Sequence, residues 1–468
     1  MRRAGISGVA QPAALLRRAL GAAAAVAIAL APVHTLVRGR GGAGSGALGG
    51  ELAVVVHGRL ELSWPSGRAV FAPGAGTVSE PQWSADGRWL AFMRPSPTSA
   101  QPGRQPQLWV VRADGTDPAR ISPLGRQVTA WAWAPSGGDV LAYEVLVPRA
   151  GRTAGSYRSV LDLAAPPASA RGPFSVRRLE SSPGFGGTLA WAPDGASLAL
   201  GYRPHSAGSQ RVVVTPSSQW SPRSVYTPTQ APGSCTDLQG WWPDGRGLLV
   251  WDDPYCSASI AADGLRLTSV ALASGRSSTL GTMLVHRQWV SWAPGGGLLG
   301  FVAGGDREAW APGKRIELCP IPGGACRPVP VPPGHVALAP AWEPSGRLVY
   351  DLAPAAAAPA AHPATGSVGT WQEAPFTEAR ALAWYGAMRL YETGATGTPS
   401  RYLAAAGQGA HDPVATPGGL LFVRGTSLWY LRYGAAKPTS LAQGLGDPSP
   451  YGNYYGYIAW SQDFAWHS

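Results

Sequence analysis

The chain is poor in charge, in lysine and in cysteine. Only 14% of its 468 residues are Asp, Glu, Lys or Arg, Lys314 and Lys437 are the only lysines, and there are four cysteines. No phosphate-cradling glycine loop is followed by Lys-Ser/Thr, which removes nucleotide-triphosphate chemistry of that kind. No Gly-x-Ser-x-Gly elbow occurs, and no stretch of sequence is free to form an α/β hydrolase domain, so an oligopeptidase-type mechanism has no housing. His34, His57, His205, His286, His335, His362, His411 and His467 are scattered, and none sits at metal-ligand spacing from another. The adjacent Asp252 and Asp253 are too few for a calcium cage. Neither a metal nor a cofactor is expected.

The net charge of +11 suggests an anionic partner until its location is read. Arg2, Arg3, Arg17, Arg18, Arg38 and Arg40 supply six of those charges, and no acid precedes Glu51. Nothing after them forms a basic run, so nucleic acid is not an expected partner. The arginines flank an Ala-rich apolar stretch, Ala19 to Val37, interrupted by Pro32 and His34. Two fates fit it: an uncleaved membrane anchor, or a signal cut after Ala29-Leu30-Ala31. Arg17-Arg18 faintly resembles a twin-arginine export signal. The anchor is the favoured expectation. The positive-inside rule then leaves the N-terminus in the cytoplasm and the rest of the chain outside, the alternative being secretion.

The cysteines agree with an oxidising compartment. They form two local pairs, Cys235 with Cys256 and Cys319 with Cys326, the second bracketing the turn sequence Pro320-Ile321-Pro322-Gly323-Gly324. Both pairs are expected as disulfides. Zinc is the alternative, but the pairs lack Cys-x-x-Cys spacing and nearby histidines.

What the chain has in abundance is Gly (62), Pro (45) and Trp (20), the composition of short strands and tight turns. Six segments repeat at an interval of about fifty residues. They are Gln82-Trp83-Ser84-Ala85-Asp86-Gly87, Ala132-Trp133-Ala134-Pro135-Ser136-Gly137, Ala190-Trp191-Ala192-Pro193-Asp194-Gly195, Trp241-Trp242-Pro243-Asp244-Gly245, Ser291-Trp292-Ala293-Pro294-Gly295-Gly296 and Ala341-Trp342-Glu343-Pro344-Ser345-Gly346. Each reads as a strand ending in tryptophan, a turn in which Asp bonds its own backbone and Gly accepts positive φ, and then an apolar second strand such as Trp89-Leu90-Ala91-Phe92. A third and a fourth strand follow, Gln107 to Arg112 and Ala119 to Ser122 in the first unit. Nearly continuous apolar runs in the second and third strands predict blades buried on both faces. The recurring tryptophans are expected to pack between blades, and Asp86, Asp194 and Asp244 to form turns.

A unit without the tryptophan spans Asp412 to Leu431. The tail, Tyr457-Ile458-Ala459-Trp460-Ser461, reads as one more first strand, and the head, Leu52 to Phe71, supplies later strands without a first. Joining tail to head completes a blade and removes both exposed edges. Counting units by Trp83, Trp133, Trp191, Trp242, Trp292, Trp342, Asp412 and the closing blade gives eight. Seven or nine remain as alternatives, because Asp351 to Gly409 contains an Ala/Pro stretch followed by strand-like pieces at Ala381 to Tyr385, Met388 to Glu392 and Arg401 to Leu403.

The predicted class is therefore all-β: a β-propeller over residues 51–468, with a flexible Gly-rich linker at 38–50 and the anchor or signal at 1–37. The pattern Trp-Ser/Ala-Pro/Ala-Asp/Ser-Gly followed by Leu-Ala-Phe or its variants resembles the TolB-type propeller repeat. That repeat is found in extracytoplasmic bacterial proteins and in the propeller domains of prolyl-oligopeptidase-like enzymes. The resemblance implies a fold rather than a function, since such propellers serve as docking platforms, receptors, lids or enzymes.

Loops of irregular length are the better guide to binding. Arg149, Arg152, Tyr157 and Arg158 lie in an extended second unit, and Trp251, Asp252, Asp253 and Tyr255 lie in the cysteine-bracketed segment. The tail adds Tyr451, Tyr454, Tyr455 and Tyr457, which cover the ring closure equally well. The function expected is non-catalytic recognition of a protein, peptide or envelope glycan by a membrane-tethered, monomeric propeller outside the cytoplasm. The alternative is a lyase or hydrolase of an envelope polymer with a site centred on the channel.

Overall fold

A computed structural model describes residues 36–39, 50–64, 67–71, 78–95, 106–136, 138–148, 157–167, 172–182, 184–203, 209–228, 233–356, 378–446 and 457–468. Their strands form eight antiparallel sheets. Seven are consecutive in sequence and four-stranded, with innermost strands Ser79–Trp83, Gln127–Trp133, Phe185–Trp191, Cys235–Trp241, Val290–Trp292, His335–Trp342 and Ala410–Ala415. The eighth blade joins the two ends of the chain. Phe464–His467 pairs with Glu51–Val56, which pairs in turn with Arg59–Trp64 and Gly67–Phe71. Leu36–Gly39 adds a fifth strand at its outer edge.

The turn chemistry is as the sequence predicts. The carboxylates of Asp86, Asp194 and Asp244 accept from the backbone N–H groups of Arg88, Ala196 and Arg246 at 2.9, 2.9 and 3.0 Å. The glycines that follow those acids have φ near +70°, a region that costs an L-residue strain. Second strands are buried on both faces, Leu90, Ala91 and Phe92 completely.

The repeat tryptophans of the second, third and fourth blades stitch each of them to the blade before. The indole N–H of Trp133 donates to the carbonyl of Gln82 (3.1 Å), that of Trp191 to Ala132 (3.0 Å) and that of Trp241 to Ala190 (3.1 Å). In each case the acceptor is the residue just before the position equivalent to the previous blade's tryptophan. Trp241, not Trp242, is thus the repeat residue of its unit. Trp242 lies over Gly247, where any Cβ would collide with its ring.

Two further sequence expectations are corrected. Residues 378–387 form an α-helix, Glu378–Ala387, rather than a strand, and Arg389–Thr393 and Arg401–Tyr402 complete the sixth blade. No ninth unit exists among the described residues. The closing strand is Phe464–His467, not Tyr457 to Ser461, so Trp466 holds the repeat position and the residues before it do something else.

Both disulfides are present, joining Cys235 to Cys256 and Cys319 to Cys326 with Cα atoms 4.8 and 4.2 Å apart. This removes the zinc alternative. Among the described residues no helix is long and apolar enough to cross a membrane. Of the anchor or signal expected at 1–37, residues 1–35 lie outside them, and the last two belong to the strand Leu36–Gly39.

Candidate functional site

The two ends of the ring differ. At one end, first strands turn tightly into second strands through the Asp-Gly hairpins. At the other, first strands begin and the connections between second and third strands run long, as at 254–264, 304–314 and 355–388. A cavity of about 1030 Å³ opens on the axis at that second end. It is walled by the beginnings of first strands from five blades and by the tail.

Each blade contributes by position. The residue four before the repeat tryptophan lines the cavity in five blades: Thr129, Gly187, Asp237, Gln288 and Gln462. The strands are irregular there. Register shifts fall between Ser79 and Gln82, Phe185 and Leu189, Leu238 and Gly240, Leu338 and Ala341, and His411 and Val414. These bulges re-aim side chains toward the axis. Glu80 and Asp412 sit at such points with φ of 55° and 50°, each followed by proline. The bulges are held from the neighbouring blade: the Gly187 N–H donates to Glu144 Oε2 (3.1 Å), and the Asp412 N–H to both oxygens of Asp351 (3.1 Å).

The other half of the channel is filled by the chain itself. Tyr457 stacks on His286 with ring centroids 3.9 Å apart and meets Trp289 edge-on at 5.3 Å. The Ile458 N–H donates to the Tyr385 hydroxyl (2.8 Å), and Trp460 packs against Tyr385 and His411. A 3-10 turn, Trp460–Gln462, then leads into the closing strand.

Desolvation dominates the cavity's electrostatics. Glu80 and Asp237 face the cavity with protein around them, and burial raises both carboxyls above the usual range. A hydrogen bond with Trp131 offsets part of the shift at Glu80, and Arg287 part of that at Asp237. Burial, with Lys314 adding to it, drives His286 down to about 3, so its ring is neutral at physiological pH. Arg287, exposed at the cavity wall, donates its guanidinium N–H groups to the carbonyls of Leu238 (2.8 Å) and Gln239 (3.2 Å). Arg307, at the wall, pairs with Asp263 (2.6 Å). Among the described residues no three His, Cys, Asp or Glu converge to hold a metal ion.

The residues singled out in the sequence fall into four groups. Trp251 is 1% exposed and belongs to the hydrophobic core beside the cavity. Asp252 and Asp253 are buried in local bonds. Asp252 accepts from Tyr226 (2.7 Å) and Thr268 (2.9 Å), while Asp253 accepts from the N–H groups of Tyr255 (3.0 Å) and Ser257 (2.7 Å), organising the turn into the helix Ala258–Asp263. Tyr157 and Tyr255 are 51% and 71% exposed, and Arg158 is exposed as well. Strand pairing puts both segments at the cavity's end of the ring, since Tyr157 pairs with Pro148 and Asp253 with Cys235. Arg149, Arg152, Tyr451, Tyr454 and Tyr455 lie outside the described residues. The sequence reading missed Glu80, Thr129, Trp131, Asp237 and Gln288. Reading the column four before each repeat tryptophan would have found three of them.

Fold and site together define an eight-bladed β-propeller with an axial cavity and, among the described residues, no peptidase domain. No protein-family model and no curated protein sequence matches the chain. Similar solved structures include the putative TolB from Agrobacterium tumefaciens, with 12% identity over 90% of this chain and 97% of that one and a TM-score of 0.34. Puromycin hydrolase is similar at 16% identity over 82% of this chain and 56% of the other, with a TM-score of 0.47. Prolyl oligopeptidase B from Galerina marginata is similar at 11% identity over 78% of this chain, with a TM-score of 0.49. The chain spans about half the length of that oligopeptidase, 50% of it, and 49% of a prolyl endopeptidase it also matches.

Proposed function

We propose that the protein is a non-catalytic binding propeller that works outside the cytoplasm, held to the membrane by its N-terminal segment, and that recognises a partner at the axial cavity. The observation that carries this reading is the cavity itself. Its size is at the upper end of the roughly 300–1,000 Å³ of ligand pockets, and its walls come from bulged first strands, where backbone strain and desolvated carboxyls are costs that packing alone does not explain. The long connections beside it offer Tyr157, Arg158 and Tyr255 as an exposed rim. The two disulfides support an oxidising compartment.

The test is capture from envelope extracts by the purified full chain, compared with Trp131→Ala in the cavity wall and Tyr255→Ala on the rim. Loss of the captured species with Trp131→Ala, at an unchanged unfolding midpoint, is the expected result. Capture that is indifferent to both substitutions would place recognition elsewhere and defeat the reading.

A further inference from the structure

We propose that the axial cavity takes the ammonium or guanidinium of a lysine or arginine carried on an extended segment of a partner protein. The inference rests on the binding reading above and adds the chemistry of what is bound. Its first support is a pair of carboxyls that the cavity's two arginines do not engage in an ion pair. Two carboxyls, Glu80 from the first blade and Asp237 from the fourth, line the cavity, and among the described residues neither forms an ion pair with a side chain of the protein. The cations nearby are committed elsewhere. Arg287 lies close enough to attract Asp237, yet its donors go to the carbonyls of Leu238 and Gln239, and Arg307 is tied to Asp263. His286 lies under the ring of Tyr457 and is neutral.

A desolvated carboxylate is stabilised by an opposite charge brought within hydrogen-bond reach, and among the described residues no side chain forms an ion pair with Glu80 or Asp237, Arg287 acting on Asp237 only from beyond that reach. The second support is aromatic. Trp131, half-buried, lines the same cavity, and aromatic faces attract cations, most strongly where water is excluded. Trp131 also hydrogen-bonds Glu80, which aims that carboxyl.

The third support identifies the carrier as a peptide segment. The neighbouring half of the channel already holds one, the chain's own Tyr457 to Trp460, with the Ile458 N–H bonded to the Tyr385 hydroxyl and its aromatic side chains packed on the inner walls. The channel is thus wide enough for a polypeptide backbone, and the cavity is the part that this segment leaves open.

The experiment is isothermal titration of the full chain with the blocked tripeptides acetyl-Ala-Xaa-Ala-amide, where Xaa is Lys, Arg, norleucine or Glu. The Lys and Arg peptides are expected to bind at least tenfold more tightly than norleucine, and the Glu peptide most weakly. Glu80→Gln and Asp237→Asn should each weaken the Lys peptide at least tenfold and leave norleucine unchanged. The peptide series needs no variant, so it stands even if one substitution fails to fold. Norleucine equal to Lys, Glu preferred over Lys, folded variants that bind Lys like the parent, or no binding by any peptide would each overturn the cation assignment. Envelope capture that still depends on Trp131 would then leave the binding reading intact, whereas capture indifferent to the cavity defeats that reading whichever peptide wins.

Discussion

The indole N–H of Trp83 donates to the carbonyl of Ala465, 3.2 Å away in space and 382 residues later in the chain. It is the same bond that Trp133, Trp191 and Trp241 make to their preceding blades, so the seam between the chain's ends is built like an ordinary blade interface. Replacing Trp83 with Phe should remove the bond and leave the Ala465 carbonyl without its donor, costing roughly 1–2 kcal/mol. Chemical denaturation is expected to give a similar loss for Trp133→Phe. A much larger loss for Trp83→Phe would mean that the seam is weaker than the interfaces it imitates.

The two disulfides should differ in worth. They close loops with sequence separations of 21 and 7, and the chain-entropy relation gives about 3 and about 2 kcal/mol respectively. The paired serine variant at Cys235 and Cys256 should therefore lose more stability than that at Cys319 and Cys326. It should also loosen the helix Ala258–Asp263, which lines the cavity, and so weaken partner capture. Equal capture by both paired variants would show that the first disulfide does not shape the mouth.

Asp351 is fully buried behind the first strand of the seventh blade, and burial, reinforced by the nearby Asp412 charge, holds its carboxyl well above the usual range. The fold thus favours its protonated form. Its contribution to stability is complete below the ordinary Asp value of about 3.9 and declines as pH rises through the folded-state value. Asp351→Asn keeps an oxygen for the Asp412 N–H without the charge. Its unfolding temperature relative to the parent should rise steadily from acid to neutral pH, and a difference flat with pH would contradict the account.

His286 has the opposite sign. Its value falls from 6.5 to about 3, so the fold favours the neutral ring, and that stability is present above about 6.5 and lost as pH falls toward about 3. His286→Phe retains a ring to stack on Tyr457. Thermal melts across the acid range should show the parent losing stability faster than the variant, and parallel curves would refute the assignment.

Gly195 is left-handed at φ +70°, and a Cβ there would lie 2.8 Å from the Ser136 carbonyl of the preceding blade. Gly346 is left-handed at φ +81° with open space around it. Alanine at Gly346 should cost roughly 1–2 kcal/mol of backbone strain alone, and alanine at Gly195 distinctly more. Equal costs in denaturant titrations would show that the blades yield without penalty.

Much of this architecture was legible because a blade needs the same residues each time. The Trp-x-x-Asp-Gly turns recur, and the apolar second strands follow from burial on both faces. Legibility failed where neighbours offered the same local pattern. Ala459-Trp460 and Ala465-Trp466 lie six residues apart and look alike, and only pairing with Glu51–Val56 selects the second. Trp241 and Trp242 are adjacent, and only the bond to Ala190 tells them apart. Ala381 to Tyr385 is apolar and short, a length at which helix and strand cannot be separated by periodicity. The cavity was harder still, because its residues arrive singly from separate blades, and Glu80 and Asp237 share no local motif. The disulfide pairs were readable from spacing, but the bonds that occupy Asp252 and Asp253 depend on Tyr226, Thr268 and local backbone that the sequence does not point to.

The closing strand pairs residues 464–467 with residues 51–54. A chain emerging in sequence order can therefore form seven blades while the ring still gapes, with the Glu51–Val56 edge unpaired until His467 is free. Such an edge invites pairing with other chains, so during synthesis that strand stays open to them until the closing strand has emerged.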